Sequence, residues 1–327
     1  MSNGPVQVLR TGCVALCLAL IGSVALAEGN GSAAGSASDW YPSRYGAEDT
    51  LGAINNLSAA KVREAAKLVR TGKVYALGVT TGPESPAYAP RQYAMTILQL
   101  DDGRGSPLGA NRATGNDDLM YLWMGIGSQI DGLGHMGIDH VYYNGNRAED
   151  FVAPTGLKRL SIDRLPPIVS RGVLLDMAAY FEQDILPAGT AFNRTEIKAA
   201  AKAQKVKIRK GDVVLFHTGW LNVADTDKDR FMSGEPGLGV DGARFLADLG
   251  VVAVGSDSWA VEVLPSEDPT QAFPVHPELL AKNGVYILEN MDTRALAADG
   301  ATEFLFVLGQ PRFVGAVQAV INPVAIR

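Results

Sequence analysis

The sequence predicts a mixed α/β domain. Apolar runs of strand length alternate with amphipathic segments of helix length, and glycines or capping residues mark the joins between them. Composition agrees: of 327 residues, 47% are hydrophobic and 20% charged, ordinary proportions for a packed globular chain.

Taken in order, Ser58 caps a helix expected to run to Arg70, with Val62, Ala65, Ala66 and Val69 on one face. Gly72 stops it, and Lys73–Thr80 reads as a strand. Asn193 followed by Glu196 has the spacing of a capping box, opening an alanine-rich helix to Gln204. Val213–Phe216 is an uninterrupted apolar run, as a buried strand requires. Asp241–Leu249 reads as a helix ended by Gly250 and followed by a strand at Val251–Val254. Val285–Leu288 and Phe304–Leu308 are further strands, and the strand-rich tail Phe313–Ile321 is expected to join an existing sheet. The segments Gly82–Pro90 and Asp101–Asp118 read as loops that shape a pocket.

Residues 1–27 read as a secretory signal. Arg10 is the only charge, an apolar run from Cys13 to Val24 follows, and Ala25-Leu26-Ala27 is a small-x-small cleavage pattern. A membrane anchor is the alternative, but the run is shorter than the ~20 residues a span needs. Residues 28–38 are small and polar, a flexible leader, and 39–327 read as one domain. The expected protein is therefore exported, periplasmic or secreted, with no membrane attachment after cleavage. Cys13 and Cys17 are the only cysteines, so cleavage leaves no thiol for a disulfide, a nucleophile or a metal site. The net charge of −6 and the lack of a basic cluster argue against nucleic acid as a partner.

Gly237-Leu238-Gly239-Val240-Asp241-Gly242 matches the spacing of a dinucleotide fingerprint, with Asp257 downstream where a ribose-binding acid stands. The stretch before it, rich in charge and ending in Pro236, supplies no strand of useful length. A nicotinamide-dependent oxidoreductase would rest on this segment alone.

The segment Gly125-Ile126-Gly127-Ser128-Gln129-Ile130-Asp131-Gly132-Leu133-Gly134-His135 carries more chemistry. On a strand, Gln129 and Asp131 share one face about 7 Å apart, close enough for two oxygen donors to hold one cation. Gly132 and Gly134 are expected to turn the backbone sharply and bring His135 back over the same spot. There an imidazole is placed as a general base. Glu289 ends an apolar strand, where a carboxylate needs a partner such as a metal ion. His276 lies in Pro274-Val275-His276-Pro277 just before that strand. His140 reads as a loop residue, and His217 as a residue holding a turn through a backbone hydrogen bond. Asp257, Ser258 and Glu262 can either support the site or serve structure. Trp123, Trp220, Trp259 and Tyr143 can pack on a substrate or in the core.

Together these residues resemble the cyclase family of metal-dependent hydrolases, which includes kynurenine formamidases and isatin hydrolases. The likeness runs from Trp40-Tyr41-Pro42-Ser43-Arg44-Tyr45-Gly46 through Gly255-Ser256-Asp257-Ser258-Trp259 to Glu289-Asn290. Against the family's H-x-G-T-H-x-D-x-P-x-H signature, Asp131 and His135 match. Gly125 replaces the first histidine, Ser128 the threonine, Gln129 the second histidine and Leu133 the proline.

The resemblance implies a swivelling β/β/α domain, a mixed sheet with flanking helices, and a homodimer or higher homo-oligomer. It implies metal ligands at Gln129, Asp131, His276 and Glu289, and a catalytic histidine at His135. With two histidine ligands gone, one oxygen-ligated divalent ion is expected, manganese before zinc, or none at all. The implied reaction is hydrolysis of a C–N bond in a small molecule, an aryl formamide or a cyclic amide, without a covalent intermediate. The rival from another class is an exported binding protein on the same scaffold.

Overall fold

The computed structural model describes residues 39–99 and 107–327. The expected signal and leader lie outside the described residues. The strands and helices that place the site are β1 (Val74–Ala76), β2 (Tyr93–Gln99), β3 (Asn116–Leu122), β4 (Gln129–Asp131), β5 (Ile168–Asp176), β6 (Val213–His217), β7 (Ala253–Ser256), β8 (Tyr286–Glu289), β9 (Glu303–Leu308), β10 (Gln318–Val320) and β11 (Val324–Ile326), with α1 (Ala59–Ala66), α2 (Arg194–Ala203) and α3 (Val240–Leu249).

Nine of these strands form one sheet in the order β1-β11-β9-β5-β6-β7-β8-β4-β10. The central four, β5 to β8, are parallel, and the strands outside them are antiparallel to their neighbours. Parallel strands buried on both faces need continuous apolar runs. Val213, Val214, Leu215 and Phe216 of β6 and Tyr286, Ile287 and Leu288 of β8 are fully buried accordingly. Helices α1 and α2 pack against β5, and α3 packs against α2, so the mixed sheet has helical flanks. No helix among the described residues is long and apolar enough to cross a membrane.

The local signals held where caps and apolar runs agreed. Asn193 and Glu196 make the reciprocal capping box at the start of α2, and Gly250 ends α3 in the left-handed conformation. Elsewhere the boundaries moved. Helix α1 stops at Ala66 rather than Arg70: only Ala65 of its expected face is buried, and packing, not propensity, sustains so short a helix. The strand expected at Lys73–Thr80 is only Val74–Ala76, because β11 offers it just three partners. The strand expected at Val251–Val254 starts at Ala253, where its register with β6 begins at Val213.

The glycine-rich segment is structural. Gly237 and Leu238 pair with Ala191 and Phe192 outside the main sheet. A Cβ on Gly237 would fall 2.3 Å from the Glu262 carbonyl carbon, and one on Gly239 would fall 2.3 Å from the Asn193 side chain. One on Gly242 would fall 2.7 Å from Leu238. These positions are glycine because the chain packs against itself there.

A second feature was not expected. β2 and β3 form a two-stranded antiparallel pair separate from the main sheet; only the start of β3, residues 116–118, falls in a segment read as a pocket loop. Met95, Ile97 and Leu98 on one strand and Leu119, Met120 and Tyr121 on the other are 47–61% exposed. Their register puts apolar side chains on both faces.

Candidate metal centre

β4 lies between β8 and β10, antiparallel to both, and this register assembles the cluster. Gln129 pairs directly with Glu289 on one side, and Asp131 with Gln318 on the other. Directly opposed residues share a face of a sheet, and so do residues two apart on one strand. Gln129, Asp131, Glu289 and Gln318 therefore project together. All but Gln318 are almost fully buried. The Gln129 amide nitrogen donates to Glu289 Oε2 at 2.6 Å, and that of Gln318 to Asp131 Oδ1 at 2.6 Å.

His276 enters from the turn before β8. Its Nε2 lies 3.2 Å from Glu289 Oε1 and 3.6 Å from Asp131 Oδ2. Its Nδ1 is hydrogen-bonded to Glu262, whose other oxygen accepts from the Val275 amide at 2.9 Å. A carboxylate at Nδ1 keeps that nitrogen protonated and points Nε2 at the cluster, the usual outer support of a metal-binding histidine. Glu262 therefore acts on the site through His276. The His135 ring stands 5.9 Å from that of His276, centre to centre. Ligand atoms of Asp131, His135 and His276 all lie within 4.8 Å of one another. His135 is thus near enough to be either a neighbouring base or a ligand.

Gly132 and Gly134 serve a different purpose from the one expected. Neither has a positive φ. A Cβ on Gly132 would meet the Val317 carbonyl at 2.7 Å, and one on Gly134 would meet Leu157 at 2.5 Å. They are glycine because the His135 loop packs flush against its neighbours. The left-handed glycine of the segment is Gly127, at φ 75°.

The buried acids and histidines of the cluster shift one another's ionisation. Burial and the charge of Asp131 push the Glu289 carboxyl up to about 7. Burial also opposes ionisation of Asp131, but His135, His276 and the Gln318 amide outweigh it and hold its pKa low. Burial disfavours an imidazolium at His276, yet Asp131, Glu262 and Glu289 raise its pKa well above the usual value. With Nδ1 protonated toward Glu262 and Nε2 bare, as a metal-binding imidazole is, three buried oxygens here have no hydrogen-bond donor: Gln129 Oε1, Asp131 Oδ2 and Glu289 Oε1. Each such atom costs about 1–3 kcal/mol unless something binds it. Two carboxylates, an amide oxygen and an oriented imidazole fit a divalent ion, with oxygen donors in the majority.

The remaining histidines stand apart. His140 is exposed, as expected of a loop residue. His217 does hold its turn, but through side chains and not a backbone group. Its Nδ1 is 2.8 Å from the Thr293 hydroxyl and 3.3 Å from Asp257. Asp257 is structural, accepting from the amides of Thr218 and Gly219 and from the Thr218 hydroxyl. Ser128 donates to the Asn290 carbonyl and accepts from the Val79 amide, tying β4 to the segment after β8. Trp220 and Tyr143 are core residues. Trp259 belongs to a rim with Tyr88 and Phe273, at ring separations of 4.8 and 6.2 Å, and Phe273 reaches His276 at 5.9 Å.

Sequence reasoning missed Gln318, and of the alternatives it left open for Glu262 the structure shows support of the site through His276. The available signal for Gln318 was a lone polar residue inside an apolar strand tail. Beside the cluster, a cleft of about 590 Å³ opens against Gly127 and Asn290, and Asn290 directly follows Glu289 in the chain.

The family model for cyclases, described as "Putative cyclase", matches residues 64–263. Among solved structures, a novel cyclase is 27% identical, with TM-score 0.77, over 86% of this chain and 96% of that one. Isatin hydrolase A from Ralstonia solanacearum is 17% identical, with TM-score 0.60, over 83% of this chain and 98% of its own. Isatin hydrolase A from Labrenzia aggregata is 18% identical, with TM-score 0.57, over 77% and 93%. No curated protein matches the chain.

Proposed function

The chain belongs to the cyclase family, and from that premise we propose that it is a metal-dependent hydrolase cleaving a C–N bond of an aryl formamide or cyclic amide. The observation that carries this reading is the set of unpartnered buried oxygens on Gln129, Asp131 and Glu289 around His276 Nε2. Those four residues would hold one divalent ion, manganese before zinc. When bound, such an ion supplies Lewis acidity toward a carbonyl and makes a nucleophile available from water near neutral pH.

The chain's own residues do the rest. Gln318 fixes Asp131, and Glu262 fixes His276. His135 has its pKa lowered, chiefly by burial and further by His276 and Arg91 against the pull of Asp131, so its imidazole is neutral near pH 7 and able to take a proton. It accepts that proton from the attacking water and returns it to the departing nitrogen. Water adds to the carbonyl carbon, the C–N bond breaks, and acid and amine leave.

The test is a hydrolysis screen of formamides, lactams and lactones with metal content measured on the same sample. Amide hydrolysis that rises with manganese or zinc loading is the expected result. A protein that stays metal-free and inactive after loading would favour the exported binding protein instead. The expected export of the chain belongs to the same proposal.

We also propose a homo-oligomer assembled through the β2–β3 hairpin. An isolated two-stranded hairpin is at best marginal in water. Met95, Ile97, Leu98, Leu108, Leu119, Met120, Tyr121 and Trp123 are each 39–61% exposed, a concentration of large apolar side chains of the kind that marks an interaction surface. A second copy of the chain is the partner, each hairpin covering the other. Ile97→Lys combined with Leu119→Lys is expected to convert the oligomer to monomer in light scattering. An unchanged mass would remove the hairpin from the interface.

A further inference from the structure

Arg91 is a charged side chain at the rim whose only part in the reaction above is its long-range effect on His135. It lies between the Gly82–Pro90 loop and β2, half-buried. Its Nη1 donates to the Gly125 carbonyl at 2.7 Å, and its guanidinium carbon sits 5.9 Å from the centre of the Tyr88 ring. Among the described residues no carboxylate pairs with it.

The sequence makes room for this arginine. A Cβ on Gly125 would lie 2.7 Å from Arg91 Nη1 and 2.9 Å from its Cζ. Any side chain at Gly125, including the histidine that stands there in the family signature, would need the volume the guanidinium now fills. The fixed cation also belongs to the neighbourhood of the cluster, since its charge is among the causes that lower the His135 pKa. Side chains then follow in a chain of contacts from Arg91 to Tyr88, Trp259, Phe273 and His276, with His135 beside the last. These residues offer aromatic faces, a base and, in Arg91, a cation that pairs with no carboxylate among the described residues.

Resting on the hydrolase reading, we propose that Arg91 is an anion-binding subsite and that the substrate is an aromatic amide carrying a carboxylate. A guanidinium presents parallel N–H donors that match a carboxylate two to two. With one edge tied to the Gly125 carbonyl and one face against Tyr88, it is oriented before substrate arrives, which lowers the cost of binding.

The test compares the ortho, meta and para formamidobenzoates with uncharged formanilide, using the metal-loaded full chain and the variants Arg91→Gln, Arg91→Lys and Gly125→Ala. The wild type is expected to prefer at least one formamidobenzoate. In Arg91→Gln that preference should fall by roughly 10- to 100-fold, carried by KM and not kcat, the size of a lost charge-assisted pair. Arg91→Lys should restore part of it. Gly125→Ala should reproduce the loss with Arg91 still present, because the new Cβ displaces a flexible guanidinium and leaves the backbone in place.

Equal effects on charged and uncharged substrates, or none on either, overturn the proposal. If no substrate is turned over, binding of the acetamidobenzoates and acetanilide is measured by tryptophan fluorescence on the same proteins. An anion preference that needs Arg91 then upholds the subsite while the hydrolase reading fails. A preference that survives Arg91→Gln and vanishes on metal removal means the ion takes the carboxylate, and the subsite is wrong.

Discussion

Asp131→Ala is expected to abolish metal binding and turnover together. Asp131 stands at the centre of the cluster, on the middle strand of three, and its Oδ2 is one of the unpartnered oxygens. Removing it leaves an amide oxygen, one carboxylate and an imidazole, too few strong donors to hold a divalent ion against water. Loss of Lewis-acid assistance worth several kcal/mol corresponds to about a thousandfold or more in kcat/KM. The measurements are bound metal per chain, hydrolysis rate, and the rise in melting temperature on adding manganese or zinc. All three should vanish.

The metal-free fold should survive the same change. The Asp131 charge is one of the causes that hold the Glu289 pKa high, so its removal lets Glu289 ionise at lower pH and relieves a repulsion. Against that, the Gln318 amide loses its acceptor. The two effects oppose, and the net change in metal-free stability should stay within about 2 kcal/mol. The sign with pH is set by Glu289. Its folded pKa of about 7 lies above the ordinary 4.5, so the stability linked to its proton is fully present below 4.5 and is lost as pH rises through 7. In Asp131→Ala that loss should shrink. An Asp131→Ala protein that stayed fully active would place the metal elsewhere.

What could be read from the sequence was whatever short-range chemistry decides. The spacing of Gln129 and Asp131 gives a shared face on any strand, and Glu289 at the end of Tyr286-Ile287-Leu288 announces a buried acid in need of a partner. That the two meet is a matter of register between strands 160 residues apart, and nothing local sets it. Gln318 and Arg91 were missed for the same reason, since each gains its meaning from a neighbour far along the chain. The glycines show the limit in another way. Gly132 and Gly134 were expected to bend the backbone, but tertiary packing against Val317 and Leu157 is what excludes a side chain. The hairpin at Tyr93–Leu122 eluded pattern reading because its apolar residues lie on both faces, so no alternation marks a buried side. Such a pattern is what a strand pair covered by a second chain would carry.

His135→Ala separates the two roles that geometry leaves to this histidine. If it is the base, the cluster of Gln129, Asp131, His276 and Glu289 is complete without it, and the variant binds its metal at the wild-type level. Turnover should then fall by about 10²- to 10⁴-fold, the usual contribution of a positioned general base, with KM little changed. The acid limb of the wild-type pH profile should also disappear, because the group that must be neutral for catalysis is gone. Burial holds the His135 pKa below its ordinary 6.5 and a bound cation would lower it further, so that limb lies on the acid side of 6.5 in the metal-loaded enzyme. If His135 is instead a ligand, as its place within 4.8 Å of Asp131 and His276 permits, the variant loses metal and activity together. His135→Asn sharpens the distinction. An amide oxygen can stand in for a ligand but cannot cycle a proton near neutral pH, so a variant that keeps metal and stays inactive assigns His135 to proton transfer.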